Sequence, residues 1–249
     1  MQLGNGIEML NIQLTTMGRQ DTIHPTLLWD ENSAVLVDAG YPGQLGLFQA
    51  AMEEAGVPFD RLNRIVMTHQ DIDHIGCLPD LVEAASQPVE VLANEIEKPY
   101  IQGDKRLIKL SPEIVEKIKA NMPADTPQEW REAFLAILDN PPQANVDTVV
   151  EDGQELPYAG GVIVVNTPGH TPGHISLYHK ATKTLIAGDA LFVVEGALIG
   201  PPPQFTLDVP QAMASLKKLT EYDIQQVICY HGGLYNDNVN ERIAELAQG

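Results

Sequence analysis

Residues 67–76 read Met-Thr-His-Gln-Asp-Ile-Asp-His-Ile-Gly, which places two imidazoles and two carboxylates within six positions. The four side chains are those of His69, Asp71, Asp73 and His74. The segment before them, residues 64–67, is typical of a short buried strand, which delivers the residues after it to the edge of a sheet. Carboxylates held close together repel one another unless a cation neutralises them. The stretch therefore predicts a metal site, and the alternative is a solvated acidic loop.

Outward from this stretch, the chain divides into two similar β-rich halves. In the first half a strand is followed by Asp38, a helix over 43–56 and the strand that ends at His69. In the second half a strand is followed by Asp189, a helix and a strand that ends at His231. Two such halves, packed sheet to sheet, bring their strand ends to one common edge. The candidate ligands of both halves are therefore expected to meet.

A helical insertion is predicted over about 94–145. Ser111 precedes a proline suited to the first helical position, and a capping box begins at Thr126. The second helix carries an apolar stripe at i, i+4 and i+8, formed by Trp130, Phe134 and Leu138. Such a stripe is usually core, but an inserted helical pair beside a metal cleft can also line a substrate pocket.

Composition and charge limit the partners of the protein. A chain of 249 residues with 44% hydrophobic content suits a single domain spanning 1–249. A net charge of -19 argues against nucleic acid and anionic membranes, because both are bound through Lys and Arg patches. With no apolar run of about 18 residues and no signal-like start, a cytoplasmic location is expected. A small-molecule substrate is the expected partner, and the sequence does not indicate the oligomeric state.

The whole pattern resembles the metallo-β-lactamase superfamily from about residue 11 to residue 233. The motif His-x-Asp-x-Asp-His is followed by His170 in Thr-Pro-Gly-His, Asp189 in Gly-Asp-Ala, and His231 after a strand. The resemblance implies a four-layer αββα sandwich with a binuclear metal site at one edge. It implies a first metal bound by His69, Asp71 and His170, a second bound by Asp73, His74 and His231, and Asp189 bridging both.

One position departs from the usual His-x-His-x-Asp-His motif, since Asp71 stands where the second histidine is expected. The three aspartate ligands would then carry a total charge of -3, against a total charge of +4 on two divalent ions. The oxygen ligand is expected to weaken the first metal as a Lewis acid and to shift preference toward manganese or iron, with zinc still expected. The alternative is that Asp71 does not bind and that the first site is weak or empty.

The resemblance implies hydrolysis by a metal-bridging hydroxide, with Asp73 orienting the hydroxide and taking its proton and Asp189 holding the ions together. The expected substrate is a lactone, ester, thioester or amide. The lactonases of the family carry a tyrosine three residues after the bridging aspartate, where this chain has Phe192, and Tyr235 is a possible substitute. A redox or O2-active iron protein, a β-lactamase and a noncatalytic scaffold are the alternatives. Apolar side chains at Met122, Trp130, Phe134 and Phe192 favour an apolar acyl substrate if they face the cleft.

The remaining polar residues receive structural or supporting roles. Asp38 is expected to orient a metal-binding histidine through a hydrogen bond without binding the metal itself, or to form a turn. His174 is expected to be a hydrogen-bonded structural residue, His179 to be exposed and His24 to lie in a surface loop. The two cysteines, Cys77 and Cys229, lack Cys-x-x-Cys spacing and are expected to be buried free thiols.

Overall fold

The computed structural model of the protein describes residues 1–4, 6–16, 19–123 and 126–248. Its strands in chain order are β1 (Gln2–Gly4), β2 (Ile7–Met9), β3 (Ile12–Thr16), β4 (Arg19–Ile23), β5 (Thr26–Trp29), β6 (Ala34–Val37), β7 (Arg64–Val66), β8 (Glu90–Asn94), β9 (Thr148–Val150), β10 (Glu155–Leu156), β11 (Val162–Asn166), β12 (Ile175–His179), β13 (Thr184–Ile186), β14 (Phe192–Val194), β15 (Ala197–Ile199), β16 (Gln226–Cys229) and β17 (Gly233–Tyr235). The α-helices are α1 (Leu45–Glu54), α2 (Ile72–Ile75), α3 (Leu78–Ala84), α4 (Lys98–Ile101), α5 (Pro112–Asn121), α6 (Gln128–Asp139), α7 (Val209–Leu219) and α8 (Val239–Leu246).

Two large sheets organise these elements. Within the described ranges, one sheet has the order β1-β2-β5-β6-β7-β8-β9 and the other has the order β10-β11-β12-β13-β16-β17. The hairpins β3-β4 and β14-β15 stand apart from them. In the first sheet β6, β7 and β8 run parallel, and in the second β13 and β16 run parallel. Each half of the chain therefore has a pair of parallel strands that ends at the same edge.

Apolar strands explain why both sheets are covered on both faces. In β6, Ala34 and Leu36 pack toward the helices of the first half, whereas Val35 and Val37 pack into the layer between the sheets. A strand buried on both faces requires apolar residues at every position, as this one has. Helices α1 and α3 cover the first sheet, and α7 and α8 cover the second. The predicted αββα sandwich is confirmed.

The predicted helical insertion lies between β8 and β9. It contains α4, a short 3-10 helix over Ile108–Leu110, α5 and α6. Ser111 caps α5 by accepting a hydrogen bond from the Ile114 N–H at 3.4 Å, as the sequence indicates. The capping box predicted at Thr126 does not form, because Pro127 is the cap position of α6 and no side chain caps that end.

Within the described part of the chain, no helix has both the length and the apolar character needed to cross a bilayer.

Candidate metal centre

The carboxyl ends of the parallel strands carry the candidate ligands. Asp38 follows β6, and His69 follows β7 after two residues. Asp189 follows β13 after two residues, and His231 follows β16 after Tyr230. His170 lies in the loop after β11, which runs in the same direction as β13 because both are antiparallel to β12. The edge where parallel strands end is a common place for ligand sites in α/β sheets.

Six of the seven predicted ligands form two groups. In each group the possible ligand atoms lie within 4.8 Å of one another: His69, His170 and Asp189 in the first, and Asp73, His74 and His231 in the second. Asp189 joins the groups, since its Oδ2 is 3.3 Å from His170 Nε2 and its Oδ1 is 3.2 Å from His74 Nε2. One carboxylate therefore presents an oxygen to each group.

Asp71, the seventh residue, lies beside the first group. Its Oδ2 is 3.3 Å from His69 Nε2 and 3.0 Å from His170 Nε2. It also accepts a hydrogen bond from Lys109 Nζ at 2.6 Å, and the same ammonium lies 2.8 Å from His170 Nε2. Sequence reasoning missed Lys109, because a lysine in an inserted segment gives no local signal of contact with a distant motif. The negative charge of Asp71 therefore has a positive partner within the protein.

Asp38 orients two of the imidazoles. Its Oδ2 accepts a hydrogen bond from His74 Nδ1 at 2.9 Å. The Thr68 hydroxyl donates to Asp38 Oδ2 at 2.8 Å and accepts from His69 Nδ1 at 2.9 Å. Fixing both Nδ1 atoms in this way turns both Nε2 atoms toward the centre, which is how carboxylates commonly hold metal-binding histidines. Asp38 itself has φ of +66°, a strained backbone conformation of the kind that concentrates at functional sites.

His174 fixes the backbone of Asp189 through a hydrogen bond. Its Nε2 accepts the Asp189 N–H at 2.9 Å, and its Nδ1 lies 2.9 Å from the hydroxyl oxygen of Thr167. Burial and the neighbouring imidazoles hold the pKa of His174 well below its usual value, which keeps it neutral and able to accept that bond. The structural role expected for His174 matches these contacts. Gly188 makes the approach possible, because a Cβ there would lie 2.8 Å from His174 Nε2.

The surroundings of Asp189 and Asp71 favour the charged form of both carboxylates. Burial opposes the charge of Asp189, but the charges of His74 and His231 outweigh it and hold the Asp189 pKa well below its usual value. The pKa of Asp71 is likewise held well below its usual value, where burial is outweighed by His69, His170 and Lys109. Ionised carboxylates at the strand ends give the centre the negative charge that a cation needs.

Unpartnered buried atoms test whether these residues fit a metal. Within the described residues, His69 Nε2, His74 Nε2 and Asp189 Oδ1 are buried and have no hydrogen-bond partner. Buried polar atoms are rarely left without a partner, and these three converge on one centre. Imidazole nitrogens with carboxylate oxygens are a donor set that suits zinc, manganese or iron. The residues present therefore fit divalent cations.

A cavity of about 450 Å³ is lined by one residue of the 67–76 segment and by residues of the insertion. Its lining includes Ile72, which stands between Asp71 and Asp73 in the sequence. The complete lining is Gln13, Leu14, Tyr41, Pro42, Gln44, Leu47, Ile72, Trp130, Ala133, Phe134 and Ile137. The rings of Trp130 and Phe134 stack with centroids 4.8 Å apart. The insertion therefore lines a pocket with part of its apolar stripe, while Leu138 lies in the core.

Other apolar and aromatic candidates lie elsewhere. Phe192 stacks on His231 with centroids 5.4 Å apart and nearly parallel planes, so it supports a candidate ligand. Tyr235 packs against the core on the outer face of the second sheet. Met122 is not among the lining residues of the cavity. Of the side chains that the sequence suggested for the cleft, Trp130 and Phe134 line this cavity.

The remaining expectations have mixed outcomes. Both cysteines are buried free thiols, as predicted. The expectation that His179 is exposed is wrong: it is fully buried, and its Nε2 donates to the carbonyl oxygen of Ala159 at 2.6 Å. All five residues of its strand, β12, are buried, so the end of this strand is not at the surface as the sequence suggested. His24 is half-buried, and its Nδ1 lies 3.3 Å from the carbonyl oxygen of Leu10.

A family model and several known proteins are similar to this chain over most of its length. The family model described as the metallo-beta-lactamase superfamily matches residues 19–231. The probable metallo-hydrolase YflN of Bacillus subtilis (strain 168) is 30% identical over 231 residues, which cover 88% of this chain and 83% of that protein. A metallo-beta-lactamase fold-containing protein of Sulfurisphaera tokodaii is 28% identical over 214 residues, covering 85% of this chain and 73% of that protein.

A solved structure with the same fold is that of a metallo-beta-lactamase family protein from Thermus thermophilus. It superposes with a TM-score of 0.70 at 23% identity, and the alignment covers 99% of this chain and 80% of that one.

Proposed function

This chain belongs to the metallo-β-lactamase superfamily and is a metallohydrolase of that group, and we propose that it uses two divalent cations to cleave the acyl bond of a small molecule. The bond is that of an ester, thioester, lactone or amide. The observation that carries the proposal is the position of Asp189, whose two oxygens face two separate groups of ligand atoms. A single carboxylate placed in this way suits a bridge between two ions.

The proposed ligands are those of the two groups. His69, Asp71 and His170 would hold one cation, Asp73, His74 and His231 would hold the other, and Asp189 would contribute to both. Zinc is the proposed ion, and manganese or iron is the alternative that an oxygen ligand at Asp71 allows. When bound, such cations would supply a nucleophile from water near neutral pH and would polarise the acyl carbonyl.

The side chains of the protein supply orientation and proton transfer. Asp73, which is 22% exposed and has its Oδ2 3.2 Å from His231 Nε2, holds the attacking water and takes its proton. Asp38 and Thr68 keep the imidazoles of His74 and His69 fixed throughout. Because these groups are already aligned before substrate arrives, little reorganisation is needed during the reaction.

The cavity supports an apolar acyl group as the recognised part of the substrate. Its described lining contains no lysine or arginine, and Trp130, Phe134, Ile72 and Leu14 contribute apolar surface. Apolar pockets with a few polar groups at one end suit small organic ligands. Glutathione thioesters, which are anionic, fit poorly beside a chain with a net charge of -19.

The redox alternative is less well supported than hydrolysis. The case for iron depends on the extra negative charge of Asp71, and Lys109 compensates that charge at 2.6 Å. The β-lactamase alternative rests on the fold alone and is included in the test below.

A substrate panel tests the proposal. The purified protein is assayed with nitrophenyl esters of increasing chain length, lactones, thioesters, a β-lactam and a phosphodiester, before and after treatment with a chelator. We expect turnover of acyl substrates with apolar chains, lost on chelation and restored by zinc or manganese. Turnover that survives complete metal removal, or turnover confined to the phosphodiester, contradicts the proposal.

A further inference from the structure

Lys109 contacts one histidine of the first ligand group and the neighbouring Asp71. Its Nζ donates to Asp71 Oδ2 at 2.6 Å and lies 2.8 Å from His170 Nε2. The lysine side chain is 25% exposed and the Asp71 side chain is 14% exposed. A charge pair shielded from water to this degree interacts more strongly than an exposed pair on the surface.

Buried contacts fix the segment that carries Lys109. The Ile108 N–H donates to Gln70 Oε1 at 2.8 Å, which attaches the segment to the middle of the metal motif. Gln70 Nε2 in turn donates to Glu97 Oε2 at 2.8 Å. The other oxygen of Glu97 accepts the Gly173 N–H at 2.7 Å, close to His170 in the chain. Glu97 is fully buried, so this network connects the insertion rigidly to both ligand-bearing loops.

The second group has no equivalent cation. Among the described residues, no lysine or arginine nitrogen lies within 4.0 Å of a carboxylate oxygen of Asp73 or Asp189. Asp71 carries a charge of -1 where the usual motif has a neutral histidine. The positive charge of Lys109 balances it, so the net charge of the first group does not change. The two groups therefore differ in what an entering cation meets: among the described residues, a resident ammonium contacts the first group and no lysine or arginine contacts the second.

We propose that Lys109 is an internal counter-cation that makes the two halves of the centre load in order. The Asp73–His74–His231 half binds its divalent ion first. The His69–His170 half binds second and more weakly, because the ion must displace the Lys109 ammonium from Asp71 Oδ2 and His170 Nε2. The proposal rests on the two-cation centre proposed above.

A metal titration with three variants tests this order of loading. Lys109→Met removes the charge and keeps the length of the side chain, whereas Lys109→Arg keeps the charge. Lys117→Met is the matched control, because Lys117 is an exposed lysine of α5 and its loss changes the net charge equally. Each metal-free protein is titrated with zinc against a chromophoric chelator, and bound metal is counted by mass spectrometry.

We expect two binding steps in the wild type, and a second step that is tightened about tenfold or more in Lys109→Met, the change expected when a competing charge pair worth about 1.4 kcal/mol is removed. The first step should stay within about twofold, since Lys109 does not touch the second group. Lys109→Arg and Lys117→Met should keep the weak second step. A folded Lys109→Met protein with the wild-type titration overturns the proposal, as does a wild type with two equal steps.

The outcomes separate this proposal from the proposed function. If neither the wild type nor Lys109→Met binds a second ion, both the order of loading and the two-cation centre are wrong. If two ions bind with unequal affinity but Lys109→Met leaves the difference unchanged, only the role of Lys109 is wrong. Acyl hydrolysis itself is decided by the substrate panel and not by the titration.

Discussion

At the scale of single residues, the sequence singled out the candidate ligands that the fold brings together, but only some of the residues that contact them. Six of the seven candidate ligands sit in short sequence motifs, and an acid after an apolar strand was sufficient to single out Asp38. Lys109 was not predictable, because its contacts with Asp71 and His170 join residues 38 and 61 positions apart. Such pairs depend on how the insertion folds back on the motif. Local sequence patterns carry no information about that step.

Gly188 offers a test of how tightly the backbone around Asp189 is fixed. Its φ is +54°, and an added Cβ would meet His174 Nε2 at 2.8 Å and Thr68 Cβ at 3.1 Å. We expect Gly188→Ala to lower the free energy of unfolding by about 1–3 kcal/mol, from backbone strain and the displaced histidine. Urea unfolding measures the change.

Gly46 provides the matched control for that substitution. It lies in α1, its φ is not positive, and an added Cβ meets nothing within 4 Å. Gly46→Ala should be neutral or stabilising by about 1 kcal/mol, because alanine is the better helix former. Equal effects of the two substitutions would show that the site backbone is not constrained as described.

His179 gives a pH-dependent prediction away from the candidate ligands. Burial lowers its pKa in the folded protein, while the bond to Ala159 only partly opposes this. The unfolded chain therefore binds a proton more readily, so the contribution of His179 to stability is present above about pH 6.5 and is lost as the pH falls below it.

The variant His179→Gln removes this titration. The difference in free energy of unfolding between wild type and variant should be largest near pH 8 and should shrink steadily below about pH 6.5. Denaturant unfolding of metal-free proteins at several pH values measures it. A difference that is constant with pH, or grows toward acid, contradicts the buried neutral state of His179.

At the scale of elements, strands were predicted better than helix ends and pocket walls. Strand β6 is apolar at every position, so its burial on both faces could be read from the sequence. The stripe on α6 was ambiguous, because apolar residues at helical spacing suit a core and a pocket equally. In the structure the stripe serves both purposes. Leu138 is buried in the core, whereas Trp130 and Phe134 are half-buried and line the cavity. Which positions of the stripe face the cavity depends on the packing of the whole helix, which residue spacing alone does not specify.

Phe134 tests whether α6 lines the acyl pocket. In Phe134→Ala, kcat/KM for long-chain esters should fall about tenfold or more relative to short-chain esters, since lost apolar contact weakens only substrates that reach it. Ile114→Ala is the control, because Ile114 is an exposed apolar residue of α5 outside the cavity lining. An unchanged ratio of long-chain to short-chain activity would rule out α6 as a pocket wall.

At the scale of the whole molecule, the architecture follows from two units with the same plan. The parallel pair β6 and β7 delivers Asp38 and His69, and the parallel pair β13 and β16 delivers Asp189 and His231. The shared layer between the sheets brings these two edges together. The sequence could indicate this plan because acids and histidines recur after apolar strands in both halves. On the same ground we propose that residues 1–249 fold as one domain, with the helical insertion as part of it.

The central claim is that ligands from both halves hold two cations on either side of Asp189. Crystals of the zinc-loaded protein, measured at the zinc absorption edge, test it most directly. The account predicts two anomalous peaks about 3.5–4 Å apart, one beside His69 and His170 and one beside His74 and His231, with the Asp189 carboxylate between them. A single peak at full loading, or peaks away from these residues, would contradict it.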